Sequence, residues 1–254
     1  MKMVTRDFSA KKYIYGIIGI SSFFIFWQII GHFKLAGMSW PSLTDVLIFL
    51  FNPDRQTLFL RAIGATLQSA LMGFLSGALV GILLASSAHI FQILKDGSDR
   101  LAAVINSVPS IALGPIFLIL IDRDATPAGV ASIHVFFIVY VSMSSGLKSA
   151  TQEHEDLFSI FGANRIRQFW SLHLPYSAPT IVSGLRLSWR AALIGAIIGE
   201  WFGASRGIGI LIINAMQNFQ INLLWSAVLI AAMMSLLFFG LMTILERLTY
   251  QRFR

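Results

Sequence analysis

The chain has 254 residues, of which 56% are hydrophobic and only 12% are Asp, Glu, Lys or Arg. A soluble domain carries about 25% charged residues, so at a mean hydropathy of +0.74 there is too little polar material to coat a globule, and a soluble enzyme is excluded. Cysteine is absent, which removes disulfides, thiolate zinc sites, iron–sulfur clusters and cysteine nucleophiles together. The net charge of +7 fits either a basic nucleic-acid surface or the excess of Lys and Arg that membrane proteins keep on cytoplasmic loops.

The positions of the scarce charges favour the second. Residues 14–33 contain no Asp, Glu, Lys or Arg and follow Lys2, Arg6, Lys11 and Lys12. A signal peptide would have a shorter apolar region and a small-residue cleavage site. The Phe33-Lys34-Leu35-Ala36-Gly37-Met38 that follows does not look like one, so a retained span is expected. Further apolar stretches run over 62–85, 101–121 (interrupted by Pro109 and Pro115), 126–147, about 179–202 and 223–245. Each is long enough to cross the hydrocarbon as a helix of ~20 residues. Continuous apolarity, without the alternation of a barrel strand, predicts an all-α membrane protein with six transmembrane helices.

Six spans put both termini on one side. With the N-terminus inside, 14 of the 19 Lys and Arg lie inside and 5 (Lys34, Arg55, Arg61, Arg123 and Arg206) lie outside. Both termini are therefore predicted to be cytoplasmic. Neither a repeat nor a low-complexity linker interrupts the chain, so 1–254 reads as a single membrane domain.

Small residues recur at four-residue steps as Ala65, Ser69, Gly73, Gly77, Gly81 and Ala85, and again as Ala191, Gly195, Gly199, Gly203 and Gly207. Such stripes let two backbones approach closely. Static packing and helices that rock in a transport cycle are both open readings. Pro109 and Pro115 each remove a backbone donor and are expected to bend the third span.

The longest polar segment is 148–178, on the predicted inside. Thr151 can cap a helix with Glu153, Glu155 and Asp156 in its early turns. Leu157, Phe158, Ile160 and Phe161 supply apolar surface, and Gly162 is placed to end the helix at positive φ. Asn164 can cap a second short helix over 165–172, which Leu174-Pro175 is expected to terminate. Two short helices around a glycine corner, partly hydrophobic, suit a protein partner.

On these residues the chain resembles the permease subunits of bacterial ATP-binding-cassette importers. Their cytoplasmic motif is Glu-Ala-Ala, three residues, Gly, nine residues, Ile, one residue, Leu-Pro. Gly162, Leu172 (in place of Ile), Leu174 and Pro175 match that spacing, Asp156 stands for Glu, and Leu157-Phe158 replace Ala-Ala. Trp40-Pro41-Ser42-Leu43-Thr44-Asp45-Val46 is similar to the Pro-Ser-x-x-(Asp/Glu)-Val of the nitrate/sulfonate/taurine branch. Ala65-Thr66-Leu67 with Gly73-Phe74, Val108-Pro109-Ser110-Ile111-Ala112, Leu113-Gly114-Pro115, Gly184-Leu185-Arg186, Arg190-Ala191, and Glu200 followed by 203–209 are similar to that branch as well. The stretch 122–126 departs from it.

The resemblance implies a type I ABC importer permease, with a second permease copy completing the pathway. Cytoplasmic ABC ATPase subunits would bind the 148–178 loop through Asp156, Leu157, Phe158, Gly162, Ala163, Leu172, Leu174 and Pro175. An external solute-binding protein would deliver the substrate. No cofactor is expected, ATP being used by a partner subunit. Independently, the chain has no Gly-x-x-x-x-Gly-Lys-Ser/Thr loop, so it cannot hydrolyse ATP by the P-loop route.

Glu200, Arg186 and Arg190 are the ionisable residues nearest the bilayer and so default pathway candidates. The alternative is that the arginines snorkel to the inner headgroups and Glu200 sits at the outer interface. Ser142, Ser144 and Ser145 could offer hydroxyls to a polar solute. The rival classes are an ion-coupled secondary transporter, which should carry acidic residues within its spans, and a membrane enzyme, which should gather two or more catalytic groups at one interface. Only Glu200 meets the first requirement in this reading, and no residues meet the second.

Overall fold

Each long uncharged stretch, unable to leave peptide groups unpaired in hydrocarbon, is helical. A computed structural model of the chain describes residues 4–252. Lys2 and Arg254, and the side chains of Arg6, Lys11, Lys12 and Arg252, all used in the topology reading, lie outside the described residues. The helices are α1 (Val4–His32), α2 (Leu43–Leu50), α3 (Pro53–Ile90), α4 (Lys95–Ser107), α5 (Ser110–Leu120), α6 (Thr126–Gly146), α7 (Gln152–Ile160), α8 (Arg165–Gln168), α9 (Leu174–Glu200), α10 (Ile208–Gln217) and α11 (Ile221–Arg252). Among the described residues five helices are long and apolar enough to span a membrane, and α4 with α5 forms a bent pair that makes a sixth candidate.

That pair changes the third predicted span. Instead of one helix over 101–121, two helices meet at 100°. Val108 and Pro109 between them are extended, with ψ of 125° and 128°. The proline ring disfavours helical geometry at the preceding residue, and its missing N–H breaks the ladder. Pro115 is held inside α5. Charge separates the two halves further: α4 carries Lys95, Asp96, Asp99 and Arg100, whereas α5 has no charged residue.

The chain divides into two compact units, residues 1–59 with 212–229, and 60–211 with 230–254. In the first, Trp27, Trp40 and Trp225 form a cluster with ring centroids 4.8–6.0 Å apart. Trp27 Nε1 donates to the Pro41 carbonyl at 3.1 Å and Trp225 Nε1 to that of Ser39 at 3.0 Å. The Pro-Ser-x-x-Asp motif acquires a physical reason here. Ser42 is the N-cap of α2: its Oγ accepts from Asp45 N at 3.1 Å and donates to Asp45 Oδ2 at 2.6 Å. The Ser and Asp of the motif thus hold each other at the first turn of α2, the serine as N-cap and the aspartate as acceptor of its hydroxyl.

In the second unit α6 packs against both α3 and α9, and glycines set the distance at each contact. A Cβ at Gly73 or Gly77 would run into the Ala128 and Ser132 backbone, and one at Gly195 or Gly199 into the Cα of Ala131 or Pro127. The helical parts of the two stripes are thus close-packed seams on neighbouring faces of α6 that share Ala131, the arrangement small-xxx-small patterns favour where lipid supplies no hydrophobic drive. Gly203 and Gly207 lie beyond the end of α9.

Candidate functional site

The segment after α6 folds into an elbow. Thr151 has the extended backbone of an N-cap, but its hydroxyl bonds His154 Nδ1 at 2.6 Å and not a backbone amide. α7 ends as its sequence requires. Gly162 has φ +72°, its N–H donates to Ser159 O, and Ala163 N donates to Phe158 O, each at 3.0 Å. Those two bonds define a Schellman cap, and only glycine takes the left-handed position without strain. Asn164 caps α8, its Oδ1 accepting from Arg167 N at 2.9 Å. Gln168, which the sequence motif does not single out, ties the corner: its Nε2 donates to Ser159 Oγ and to Ala163 O, both at 3.2 Å.

One expectation fails. Leu174-Pro175 does not terminate the second helix. A π-helical turn, Phe169–His173, joins α8 to α9, so that Arg165–Glu200 is one apolar helix of 36 residues, roughly 54 Å at 1.5 Å per residue. The wider turn loosens the hydrogen-bond ladder where the Pro175 ring would otherwise meet the preceding turn.

The motif residues divide into two groups. Leu172 is buried, and Leu174 packs with buried Phe169 on a core of Tyr140, Met143 and Leu147. These anchor the elbow, and Pro175 beside them is half-buried. Asp156 and Gly162 are exposed, while Phe158 and Ala163 are half-buried. Leu157 is 47% exposed, Ile160 80%, Phe161 78% and Trp170 63%. The elbow is thus a protruding apolar corner on an anchored base that runs on into α9.

At the far end of α9, Glu200 is only 1% exposed. Its Oε1 accepts from Thr66 Oγ1 at 2.7 Å and its Oε2 from Gly209 N at 2.6 Å, while Thr66 Oγ1 accepts from Ile208 N at 2.8 Å. The carboxylate and hydroxyl together satisfy the first two amides of α10, where a negative charge suits the helix dipole. Glu200 is buried here and not at an interface with water.

The two arginines separate. Arg190 is exposed. Arg186 pairs with Glu246 at 2.7 Å and lies over the Phe239 ring, and Ser183 donates to Glu246 Oε1 at 2.6 Å. Ending the sixth span at 245 left Glu246 out of it, whereas α11 continues to Arg252 and carries Glu246 within the membrane helix. Beside this pair Trp189, fully buried, stacks on Phe238 at 4.2 Å. Ser142 sits against Gly184 where α6 and α9 touch, and Ser145 is exposed. Glu200, the arginines and the serines therefore do not converge on one site.

Glu246→Ala should leave Arg186, still 25% exposed, without its partner. The expected cost is on the order of 2 kcal/mol, below the 3–5 of a fully buried pair. The Arg186→Met/Glu246→Leu double variant should recover most of it. Thermal unfolding of the purified proteins in detergent measures both, and equal midpoints for wild type and Glu246→Ala would contradict the pairing.

Comparison with known proteins agrees with this architecture. Residues 77–254 match the family model of the binding-protein-dependent transport system inner membrane component. A probable ABC transporter permease of Haemophilus influenzae is 31% identical over 70% of this chain and 71% of its own length. The formylaminopyrimidine transport permease ThiX of Halalkalibacterium halodurans is 29% identical over 76% and 78%. Among solved structures, an inward-facing conformation of the methionine ABC transporter MetNI superimposes with a TM-score of 0.70 at 12% identity, over 78% of this chain and 99% of that one. With its all-helical fold and apolar spans, the chain belongs to the binding-protein-dependent transport system inner membrane components and is a multi-pass permease of ABC import systems.

Proposed function

We propose that the chain works as one permease domain that pairs with a second permease copy to form the solute path. In this reading a cytoplasmic ATPase docks on the elbow and an external binding protein delivers the solute. The observation that carries it is the apolar elbow, with Ile160 and Phe161 about four-fifths exposed on a base anchored by Phe169, Leu172 and Leu174. Exposure of this kind invites a protein surface. Gly162 sets the corner, and Asp156, Leu157, Phe158 and Ala163 shape it, while Pro175 sits where the elbow joins α9. ATPase closure would displace the corner, and the continuous Arg165–Glu200 helix would carry the motion across the bilayer. Only a closed state that binds ATP more tightly than the open one can drive this cycle.

The 14-to-5 split of Lys and Arg supports placing both termini and the elbow in the cytoplasm. Arg186, Arg190, Glu200, Ser142 and Ser145 remain proposed pathway residues for states in which the helices part. The solute is proposed to be small, as is the formylaminopyrimidine for which the Halalkalibacterium relative is named.

Co-purification with the cognate ATPase tests the docking. Each large apolar side chain contributes about 1.5–3 kcal/mol when fully buried, so Ile160→Asp/Phe161→Asp should weaken association by at least an order of magnitude. Gly162→Arg or deletion of the loop should abolish it. Because the chain lacks cysteine, a single Phe161→Cys can be labelled with an impermeant maleimide, and reaction only in inside-out vesicles is expected. Full transport by the chain alone in ATP-free vesicles would overturn the ATPase-driven reading.

A further inference from the structure

At the elbow end of the second unit, α3, α4, α6 and the elbow enclose a cleft of about 330 Å³. Three cations line it from three directions: Lys95 at the start of α4, Lys148 just past α6 and Arg165 at the start of α8. Among the described residues none of the three takes part in an ion pair or a side-chain hydrogen bond with the protein.

Two carboxylates share the cleft, Asp99 and Glu155. Asp99 accepts the Tyr140 hydroxyl at 2.6 Å, and Glu155 faces His173 at 3.8 Å. His173 is 6% exposed, its Nδ1 has no hydrogen-bond partner, and its ring lies 4.5 Å from that of His89, which also lines the cleft. A buried ring nitrogen without a hydrogen-bond partner and three cations set against the two carboxylates form a polar cavity with one positive charge in excess (three minus two). Arg presents a planar fork and Lys a point charge, and both are suited to phosphate oxygens.

We propose that this cleft binds a phosphate group and thereby fastens the elbow to the helices behind it. Lys95 belongs to α4, Lys148 to the root of the elbow just past α6 and Arg165 to its far side at the start of α8, so one anion touching all three closes the space between them. α3 ends at Ile90 and α6 at Gly146, both as membrane-spanning helices, which puts the cleft at headgroup level. The group is therefore either the headgroup of an anionic phospholipid or a free phosphate. Binding does not depend on the elbow's role; only its consequence for coupling rests on the proposed ATPase docking.

The test uses the full chain in phosphatidylcholine nanodiscs. In one arm inorganic phosphate is titrated calorimetrically. In the other, phosphatidylglycerol is included as a minor lipid and its retention is counted by native mass spectrometry. At least one probe is expected to bind, and which one does so identifies the source. Lys148→Gln/Arg165→Gln should lose about tenfold or more in affinity. Lys148→Arg/Arg165→Lys, and Arg100→Gln on the same helix as Lys95, should bind as wild type does. Matching circular dichroism would show that all are folded. Binding of neither probe, or equal binding by the Gln double variant, overturns the proposal. ATPase co-purification is measured separately: phosphate binding without ATPase association would refute the docking and leave this site standing.

Discussion

Gly207→Ala is expected to cost about 3 kcal/mol or more of stability, adding the strain of a disallowed backbone to that of an overpacked interior. Gly207 has φ +141°, which L-residues rarely adopt, and a Cβ there would overlap the Glu200 carboxylate. The carboxylate cannot withdraw, because both oxygens are held, one by Thr66 and one by Gly209. Thr66→Val tests the same node from the other side. It removes the donor to Glu200 and the acceptor for Ile208 N–H at once, leaving a buried amide unpaired at about 1–3 kcal/mol. Unfolding midpoints in detergent should fall for both variants, and more for Gly207→Ala. A Gly207→Ala protein as stable as wild type would show that the Glu200 end is not packed as described.

The second large effect is expected along the α3–α6 seam. A Cβ at Gly77 would lie 2.9 Å from Val135 Cβ and closer still to the Ser132 carbonyl oxygen. A backbone atom cannot turn aside as a side chain can, so Gly77→Ala should force the helices apart at about 1–3 kcal/mol, and Gly77→Val more. Gly64 is the matched control: it lies on the same helix with nothing within 4 Å of its Cβ position. Gly64→Ala should be neutral or gain up to about 1 kcal/mol from helix propensity. If both alanine variants melt alike, the small-residue stripe is not a packing seam. Should the helices rock during transport, Gly77→Ala would in addition slow transport more than its stability loss explains.

The two effects are connected through α9. Its Gly195 and Gly199 lie against α6, its first residues are anchored in the core behind the elbow, and its last is Glu200. One continuous helix thus joins the proposed docking corner, the Arg186–Glu246 pair and the buried carboxylate. The sequence motif ends at Pro175, in the first turn of α9, and the π-turn before it lets the helix continue.

Composition and charge spacing alone determined that this is a multi-span helical membrane protein, because hydrocarbon admits no unpaired backbone and the apolar runs are too long for anything else. Local chemistry was equally legible where one residue type has one conformational use. Gly162 had to end α7, Asn164 to cap α8 and Pro109 to interrupt the third span. What the sequence could not contain was any relation set by partners far along the chain. Glu200 read as an edge residue, and became a buried cap only because Thr66, 134 positions away, meets it. Glu246 lies one residue past the predicted sixth span, and the length of α11 carries it to Arg186. The 100° bend at Pro109 and the passage through Pro175 show the same limit. Proline removes a donor in both places, and only the surrounding packing decides whether the helix breaks or widens by one turn. The apolar excess that excluded a soluble fold therefore fixed the solvent of this protein and its spans, while tertiary contacts decided which of its few charges are structural and which stand free in the cleft behind the elbow.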